Sequence, residues 1–343
     1  MEQQVQVNKI ALLDTANLFK IKSNNTTVNQ NGIACGGIVG VGHAIEVLRD
    51  QGYYVVACLE GKNSTRRRRL LNSDYKKKRW KAKGNSIDQP FDADPTDTQW
   101  QWKAVLSLLM LMRVPIVYSA GKEADDVIAF LTHCMIANTT SEIRIISNDS
   151  DFYQLLRPDN RVTMSSAMQV PTIQTFETVM QKTTFDPRNT IWFKVLAGDK
   201  ADCIRGVPGV GETSTKAFLN AYGGTPFESI QSLLTSVKAE DPKMFGKIEK
   251  FVSEGGDLGT LYKIFSLELF DILDEMHCKC ILANERSNAG EVVKWLKKYN
   301  ITIRPSAHRY ATTTSDFHDQ LKQMIPVLEM SIFEPLPTQV ESG

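Results

Sequence analysis

Short apolar runs alternate along this chain with longer stretches in which apolar residues recur every three or four positions. KIALLD (9–14), YYVVACLE (53–60), VPIVYS (114–119) and EIRIISND (142–149) are runs of the first kind and predict buried strands. The second kind predicts helices from about Gly37 to Gln51, near 97–112, and from Glu123 onward, with an Asn- and Thr-rich loop directly after the first strand. Near-continuous apolar strands alternating with helices predict an α/β fold: a parallel-rich central sheet flanked by helices. Ligands of such sheets bind beyond the carboxyl ends of the strands. Further on, GTPFESIQSLL, GTLYKIFSLELFDIL and EVVKWLKKYNI predict amphipathic helices, and the Pro-containing SIFEPLPTQVESG predicts a disordered tail. The expected division is a core over 1–185, a helical region over 186–310 and a C-terminal extension over 311–343.

Composition narrows the picture by exclusion. With 40 basic and 39 acidic residues among 343, no global field announces a polyanionic or membrane partner, so the distribution of charge must carry the signal. The six cysteines are scattered without paired C-x-x-C spacing and read as reduced thiols. No apolar run approaches the ~18 residues needed to span a bilayer. A soluble, cytoplasmic monomer is expected.

The acids are placed unevenly. Asp14 ends the first strand, Glu60 the second, and Asp149 and Asp151 follow the strand after the helix opened by GKEADD, which carries Glu123, Asp125 and Asp126. A helix N-terminus favours one or two acids by roughly 0.3–1 kcal/mol each, but three would repel one another. If the chain stays extended through Asp149 and Asp151, the two point the same way. Any one of these residues taken singly reads as a capping or loop carboxylate. Seven on one rim predict hard divalent cations with oxygen ligands, Mg²⁺ or Mn²⁺.

A further pair, Asp199 and Asp202, is spaced to share a face of a helical turn, and GVPGVG follows directly before a helix beginning near Glu212. Such a Gly-rich connection between helices can offer backbone N–H groups to phosphates. The segment from Lys62 to Lys83 holds eleven Lys or Arg and one acid, with Tyr75 and Trp80 interleaved. It issues from the strand that presents Glu60, so cations and stacking rings would hang over the acidic rim, as a nucleic acid requires. From about Gly61 to Pro95 the like charge predicts a segment that orders only on its ligand.

The motifs LLDTANL, LEGK with a basic stretch ending in YKKKR, GKEADD, ISNDSDFYQLL and GDKADCIRGVPGVGETSTKA stand in this order between about residues 10 and 222. They resemble the flap endonuclease and 5'-3' exonuclease family, the structure-specific nucleases found free in phages and archaea and fused to bacterial DNA polymerase I. The resemblance implies a PIN-like 5'-nuclease fold with a basic helical arch and a helix-three-turn-helix. It implies nine acidic positions, at Asp14, Glu60, Glu123, Asp125, Asp126, Asp149, Asp151, Asp199 and Asp202; family members usually carry Asp where this chain has Glu60. Arg68, Lys76 and Arg79 match basic arch positions.

On that resemblance, two metal ions would act on a phosphodiester. Asp14, Glu123 and Asp125, with Glu60 and Asp149, would hold the first; Asp151, Asp199 and Asp202, with help from Asp126, the second. Lys76 and Arg79 would meet the scissile phosphate, and Tyr75 or Trp80 would stack on a frayed base. Arg66, Arg67, Arg69, Lys77 and Lys78 would attract phosphates. Gly206, Gly209, Gly211, Thr213 and Lys216 would grip duplex DNA, with a K⁺ ion at the hairpin. The substrate would be DNA with a free 5' end, flap or nick, with an RNA–DNA hybrid also open. A replication partner could dock on Ile332, Phe333 and Leu336, and a phage source would place the enzyme in host cytoplasm. The alternatives are a catalytically silent DNA-junction scaffold and a single-strand ribonuclease on a related fold.

Overall fold

The computed structural model describes residues 8–23, 27–77, 98–166, 172–223, 225–267, 278–283, 289–298, 300, 301, 321 and 329–333. Four apolar runs form the expected strands: β1 (Lys9–Asp14), β2 (Tyr54–Glu60), β3 (Ile116–Ser119) and β4 (Glu142–Ile146). With β5 (Val162–Ser165) they pair in parallel in the order β3-β2-β1-β4-β5. Alternate residues of each strand serve opposite faces. Ile10, Leu12, Val56 and Cys58 enter the core on one side, whereas Ala11, Leu13, Val55, Ala57 and Leu59 enter the other.

The first of these faces packs against α5 (Ala124–Asn138), through Val127, Ile128 and Leu131. The second packs against α1 (Thr15–Ser23), α2 (Gly36–Asp50) and α4 (Thr98–Leu111). The Asn/Thr-rich loop expected after β1 is therefore displaced: α1 starts at once, because Thr15, Ala16, Leu18 and Phe19 are buried against the sheet, and the loop begins after Ser23. A third cluster is built from α7 (Thr190–Ala197), α8 (Glu212–Tyr222), α9 (Ile230–Glu240), α10 (Pro242–Ser253) and α11 (Leu258–Phe265), around Trp192, Phe218, Leu233 and Ile248.

The expected divisions at 186–310 and 311–343 do not follow the sheet. Strand β9 (Cys278–Ala283) pairs antiparallel with β3, and β10 (Glu329–Phe333) lies parallel beside β9 at the sheet edge, while β6 (Ile173–Gln174) closes the other edge. Cys278 and Cys280, two apart, bury on one face. The expectation of a disordered tail is thereby corrected for Ser331, Ile332 and Phe333, whose backbone belongs to β10; Leu336 lies outside the described residues. Among the described residues no helix is long and apolar enough to cross a membrane.

Candidate metal centre and nucleic-acid interface

The carboxyl ends of β1, β2, β3 and β4 bring the acids to one rim. Asp14 closes β1 and is 5 % exposed. One carboxylate oxygen accepts the Asn17 N–H (3.1 Å) and the other the Ser147 hydroxyl (2.8 Å). Ser147 Oγ in turn accepts the Asp149 N–H at 3.1 Å, so one buried hydroxyl ties two of the acids together. Asp149 then caps a 3₁₀ helix over Ser150–Leu155, accepting from the Asp151 N–H at 3.0 Å. The extended geometry expected for Asp149 and Asp151 is thus replaced by a tight turn, because the Asp149 side chain satisfies the free N–H groups that follow it.

Burial pushes the Asp14 carboxyl up to about 6, against its two hydrogen bonds and with the help of the Asp149 and Glu60 charges. Asp125, in the first turn of α5, is raised well above the usual range by burial and by Asp149, Asp14 and Glu123, although Lys76 opposes this. Asp151 is pushed to about 6 by burial and the Asp149 charge, against Lys194. These carboxylates are lifted first by burial and then by one another's charge, and their donor set is all oxygen, which fits a hard divalent cation.

The other two acids of GKEADD have a different company. Glu123 caps α5, and Asp126 Oδ2 accepts the Glu123 N–H at 3.0 Å. Arg68, only 4 % exposed, sits against both: its Nη1 lies 2.5 Å from Glu123, its Nη2 2.8 Å from Asp126, and its Nε donates to the Ile264 carbonyl at 2.9 Å. Lys76 Nζ and the Tyr75 hydroxyl also donate to Glu123. Burial would raise the Glu123 carboxyl, but Arg68 and Lys76 outweigh it and hold it at about 2.

Several expectations change here. Arg68 and Tyr75 (3 % exposed) are buried rather than open at the surface. Arg67 reaches the Lys263 carbonyl (2.9 Å) and Asp126 (3.5 Å), whereas Arg66, Arg69 and Lys77 are exposed. Residues 61–77 are ordered rather than awaiting a ligand, because Arg67, Arg68 and Lys76 find their anions within the protein, in and beside α3 (Arg66–Leu71). Lys78, Arg79 and Trp80 lie outside the described residues.

Lys194 gave no sequence signal beyond being a lone cation in the apolar stretch IWFKVLA of α7. Its ammonium bridges Asp151 and Asp199, the latter at 2.7 Å. Burial would lower its pKa, yet the two carboxylates hold it above the usual lysine range. Asp199 and Asp202 do not share a helical face. Asp199 lies in the short strand β7 (Gly198–Asp199), paired with β8 (Ile204–Arg205), and accepts the N–H groups of Ala201 (2.7 Å) and Asp202 (3.1 Å). The Asp202 carbonyl accepts the Lys76 N–H at 2.8 Å, joining the basic segment to this loop. With lysines standing between acids, no three His, Cys, Asp or Glu side chains among the described residues are arranged to hold an ion as they stand.

After β8 the chain turns tightly into α8. A Cβ on Gly206 would come within 2.3 Å of the Gly198 nitrogen and the Leu196 carbonyl oxygen, so only glycine fits there. Gly209 takes a φ of +76°, and its carbonyl accepts the Lys247 ammonium at 2.8 Å. Gly211 caps α8, with Thr213 and Lys216 exposed on the first turns beyond it.

The pKa shifts fix a sign for stability. Asp14 and Asp151 bind protons more tightly folded (about 6) than at their ordinary 3.8, so their contribution is full below 3.8 and is lost as pH rises through 6. Glu123 works oppositely, its contribution being present above 4.5 and lost as pH falls through about 2. In chelator, the melting temperature should therefore rise on acidification from about pH 7.5 to 5, and Mg²⁺ should raise it more at the higher pH, since ligands must shed protons. A flat difference between the two series would show that these acids do not meet the ion.

Residues 9–185 match the family described as 5'-3' exonuclease, N-terminal resolvase-like domain, and the chain belongs to that family. It is a nuclease, a hydrolase of phosphodiester bonds. Among its relatives, a 5'-3' exonuclease of Bacillus subtilis is 27 % identical over 280 residues, covering 81 % of this chain and 84 % of that one. One of Aquifex aeolicus is 27 % identical over 213 residues, covering 61 % and 68 %. The T5 D15 protein, co-crystallised with metal ions, shares the fold, with a TM-score of 0.52 at 17 % identity over 85 % of this chain and 97 % of that one.

Proposed function

We propose that this chain is a structure-specific 5'-nuclease that hydrolyses DNA at free 5' ends, flaps or nicks, using two divalent ions, Mg²⁺ or Mn²⁺, bound at the carboxylate rim. The observation that carries this reading is the set Asp14, Asp125, Asp149 and Asp151, gathered beyond the ends of β1, β3 and β4, three of them with pKa raised by burial and by one another's charges. Asp14, Asp125 and Asp149 would hold one ion, with Glu60 at the margin; Asp151, Asp199 and Asp202 would hold the other once the Lys194 ammonium that bridges Asp151 and Asp199 gives way to it. Bound there, the ions would lower the pKa of a water and offset charge on the phosphate. Glu123, paired with Arg68 and Lys76, and Asp126, paired with Arg68, would reach an ion only by exchanging those partners.

The protein's own groups bring the substrate. Arg66, Arg69 and Lys77, all exposed, would attract phosphates, and Gly209, Gly211, Thr213 and Lys216 would form the duplex grip, with K⁺ at the hairpin. Lys76 is tethered by its backbone to the Asp202 loop and would exchange Glu123 for the scissile phosphate. Arg79 would join it. An RNA 5' strand in a hybrid remains within this chemistry, and the C-terminal segment beyond β10 would carry any replication partner. Of the two other readings, a silent scaffold predicts loss of several acids, whereas only Glu60 differs and keeps its charge, and a single-strand ribonuclease does not explain the hairpin.

Incubation with labelled 5'-flap, nicked-duplex and RNA–DNA hybrid substrates in Mg²⁺ tests the reading; no cleavage of any of them at a concentration that binds DNA would reject it. Glu60 offers a finer test. It ends β2, where Oε2 accepts the Ser64 hydroxyl at 3.4 Å. Glu60→Asp should retain activity within about tenfold, equal to about 1.4 kcal/mol of barrier, whereas Glu60→Gln should lose much more. Equal rates for Gln and Glu would remove Glu60 from the metal set.

A further inference from the structure

Among the described residues of the basic segment Arg68 is the most enclosed cation, and it touches three helices at once. Its own helix, α3, begins that segment. Its Nη atoms hold Glu123 and Asp126 at the N-terminus of α5, and its Nε holds the Ile264 carbonyl at the C-terminal end of α11. Arg67 adds the Lys263 carbonyl beside it. The last carbonyls of a helix lack intrahelical donors and carry partial negative charge, so two guanidinium groups are well matched to that end of α11. A planar bidentate fork also fixes orientation, which an ammonium does not.

One consequence concerns Asp125. Three carboxylates in four residues could each rotate toward a cation, but Arg68 takes the first and the third: Glu123 becomes the cap of α5, and Asp126 doubles back to its N–H. Asp125 lies between them in the same first turn, so the turn that Arg68 holds is the one that carries it. We propose that Arg68 is a positioning residue for the nuclease reaction: by clamping Glu123 and Asp126 it sets the first turn of α5 so that Asp125 is aimed at the divalent ion, and through Ile264 it references that turn to the helical region that holds the duplex grip. This rests on the metal-dependent reading given above. It differs from a phosphate-binding role, since a side chain 4 % exposed and saturated by acids has no face left for DNA.

The test measures Mn²⁺ binding by electron paramagnetic resonance without DNA, beside the single-turnover rate at saturating flap substrate and the DNA affinity. Arg68→Met should weaken the tighter Mn²⁺ site about 10–100-fold, as for supports of ligating carboxylates, and slow the saturated rate comparably, with DNA affinity unchanged. Because Met leaves Asp126 buried without its partner, the double variant Arg68→Met, Asp126→Asn is measured too; it removes both charges and keeps the fold accessible. If both residues act through the same clamp, the double variant should cost no more in Mn²⁺ affinity than Arg68→Met alone. Folded variants with a lowered melting temperature but wild-type Mn²⁺ affinity and saturated rate would overturn the proposal, making Arg68 a fold-stabilising residue only. Variants with weakened DNA binding at a normal saturated rate would overturn it in favour of phosphate attraction. If the wild type itself neither binds Mn²⁺ nor cleaves, the underlying metal-dependent reading fails instead.

Discussion

Asp125→Asn and Asp14→Asn should each abolish cleavage, lowering the single-turnover rate by about a thousandfold or more, while DNA binding is unchanged or tighter. The rate loss follows from removing an anionic ligand where ions and phosphate charge must be matched. The retained binding follows because one negative charge fewer faces the phosphates. The amide is close to isosteric. At Asp14 it leaves the Asn17 N–H with an acceptor, so β1 and α1 should stay in place. Replacing Asp14 also relieves burial of a carboxyl already raised to about 6, so the metal-free variant should melt no lower than the wild type near neutral pH. Rapid-quench cleavage, filter binding and thermal melting on the same preparations check this. Loss of activity together with a collapsed melting transition would make these acids structural.

Lys76→Ala carries the second large effect. Lys76 adopts a φ of 52°, unusual for a residue with a Cβ, and its N–H is fixed on the Asp202 carbonyl, so its ammonium is delivered beside the rim by a held backbone. At saturating DNA the rate should fall roughly 10²–10³-fold, as when one preorganised charge partner of a transition state is removed. DNA affinity should change little. Metal binding gives an opposite sign that separates this from general damage: without the ammonium on Glu123, the rim is more negative and Mn²⁺ should bind at least as tightly as to wild type. Arg66→Ala and Arg69→Ala should do the reverse, weakening binding and lowering the salt slope by about one charge each with little change in saturated rate. A normal saturated rate for Lys76→Ala would place Lys76 with those attractors.

The rim was legible because strands that bury both faces are written as unbroken apolar runs, and three of the four runs here end in an acid, the third being followed by one at Glu123. Rotation about a helix axis is not written that way. RRRRLL shows four cations but not that Arg68 turns inward, which depends on Glu123 and Asp126 lying 55 and 58 residues away. Lys194 was missed for the same reason, since its partners Asp151 and Asp199 meet it only after α7 packs beside the 3₁₀ turn. TANLFKIKS opens with small polar residues and hides α1, whose burial comes from the sheet beneath. CKCILA and EMSIF carry no strand signal of their own, because each is short and their place in the sheet depends on a pairing with β3 far back in the chain.

That distance bears on how the chain is made. Strand β3 is finished at Ser119, but the strand that covers its open side starts at Cys278, about 160 residues later. At roughly 5–20 residues per second of synthesis, β3 waits about 8–30 s on the ribosome with its outer hydrogen-bonding edge unpaired. An unpaired edge of a buried apolar strand is a template for other chains. The interval between β3 and β9 is therefore where nascent copies are most exposed to mispairing and to capture by chaperones, and slowing translation after Ser119 should lower the soluble yield more than slowing it after Ala283.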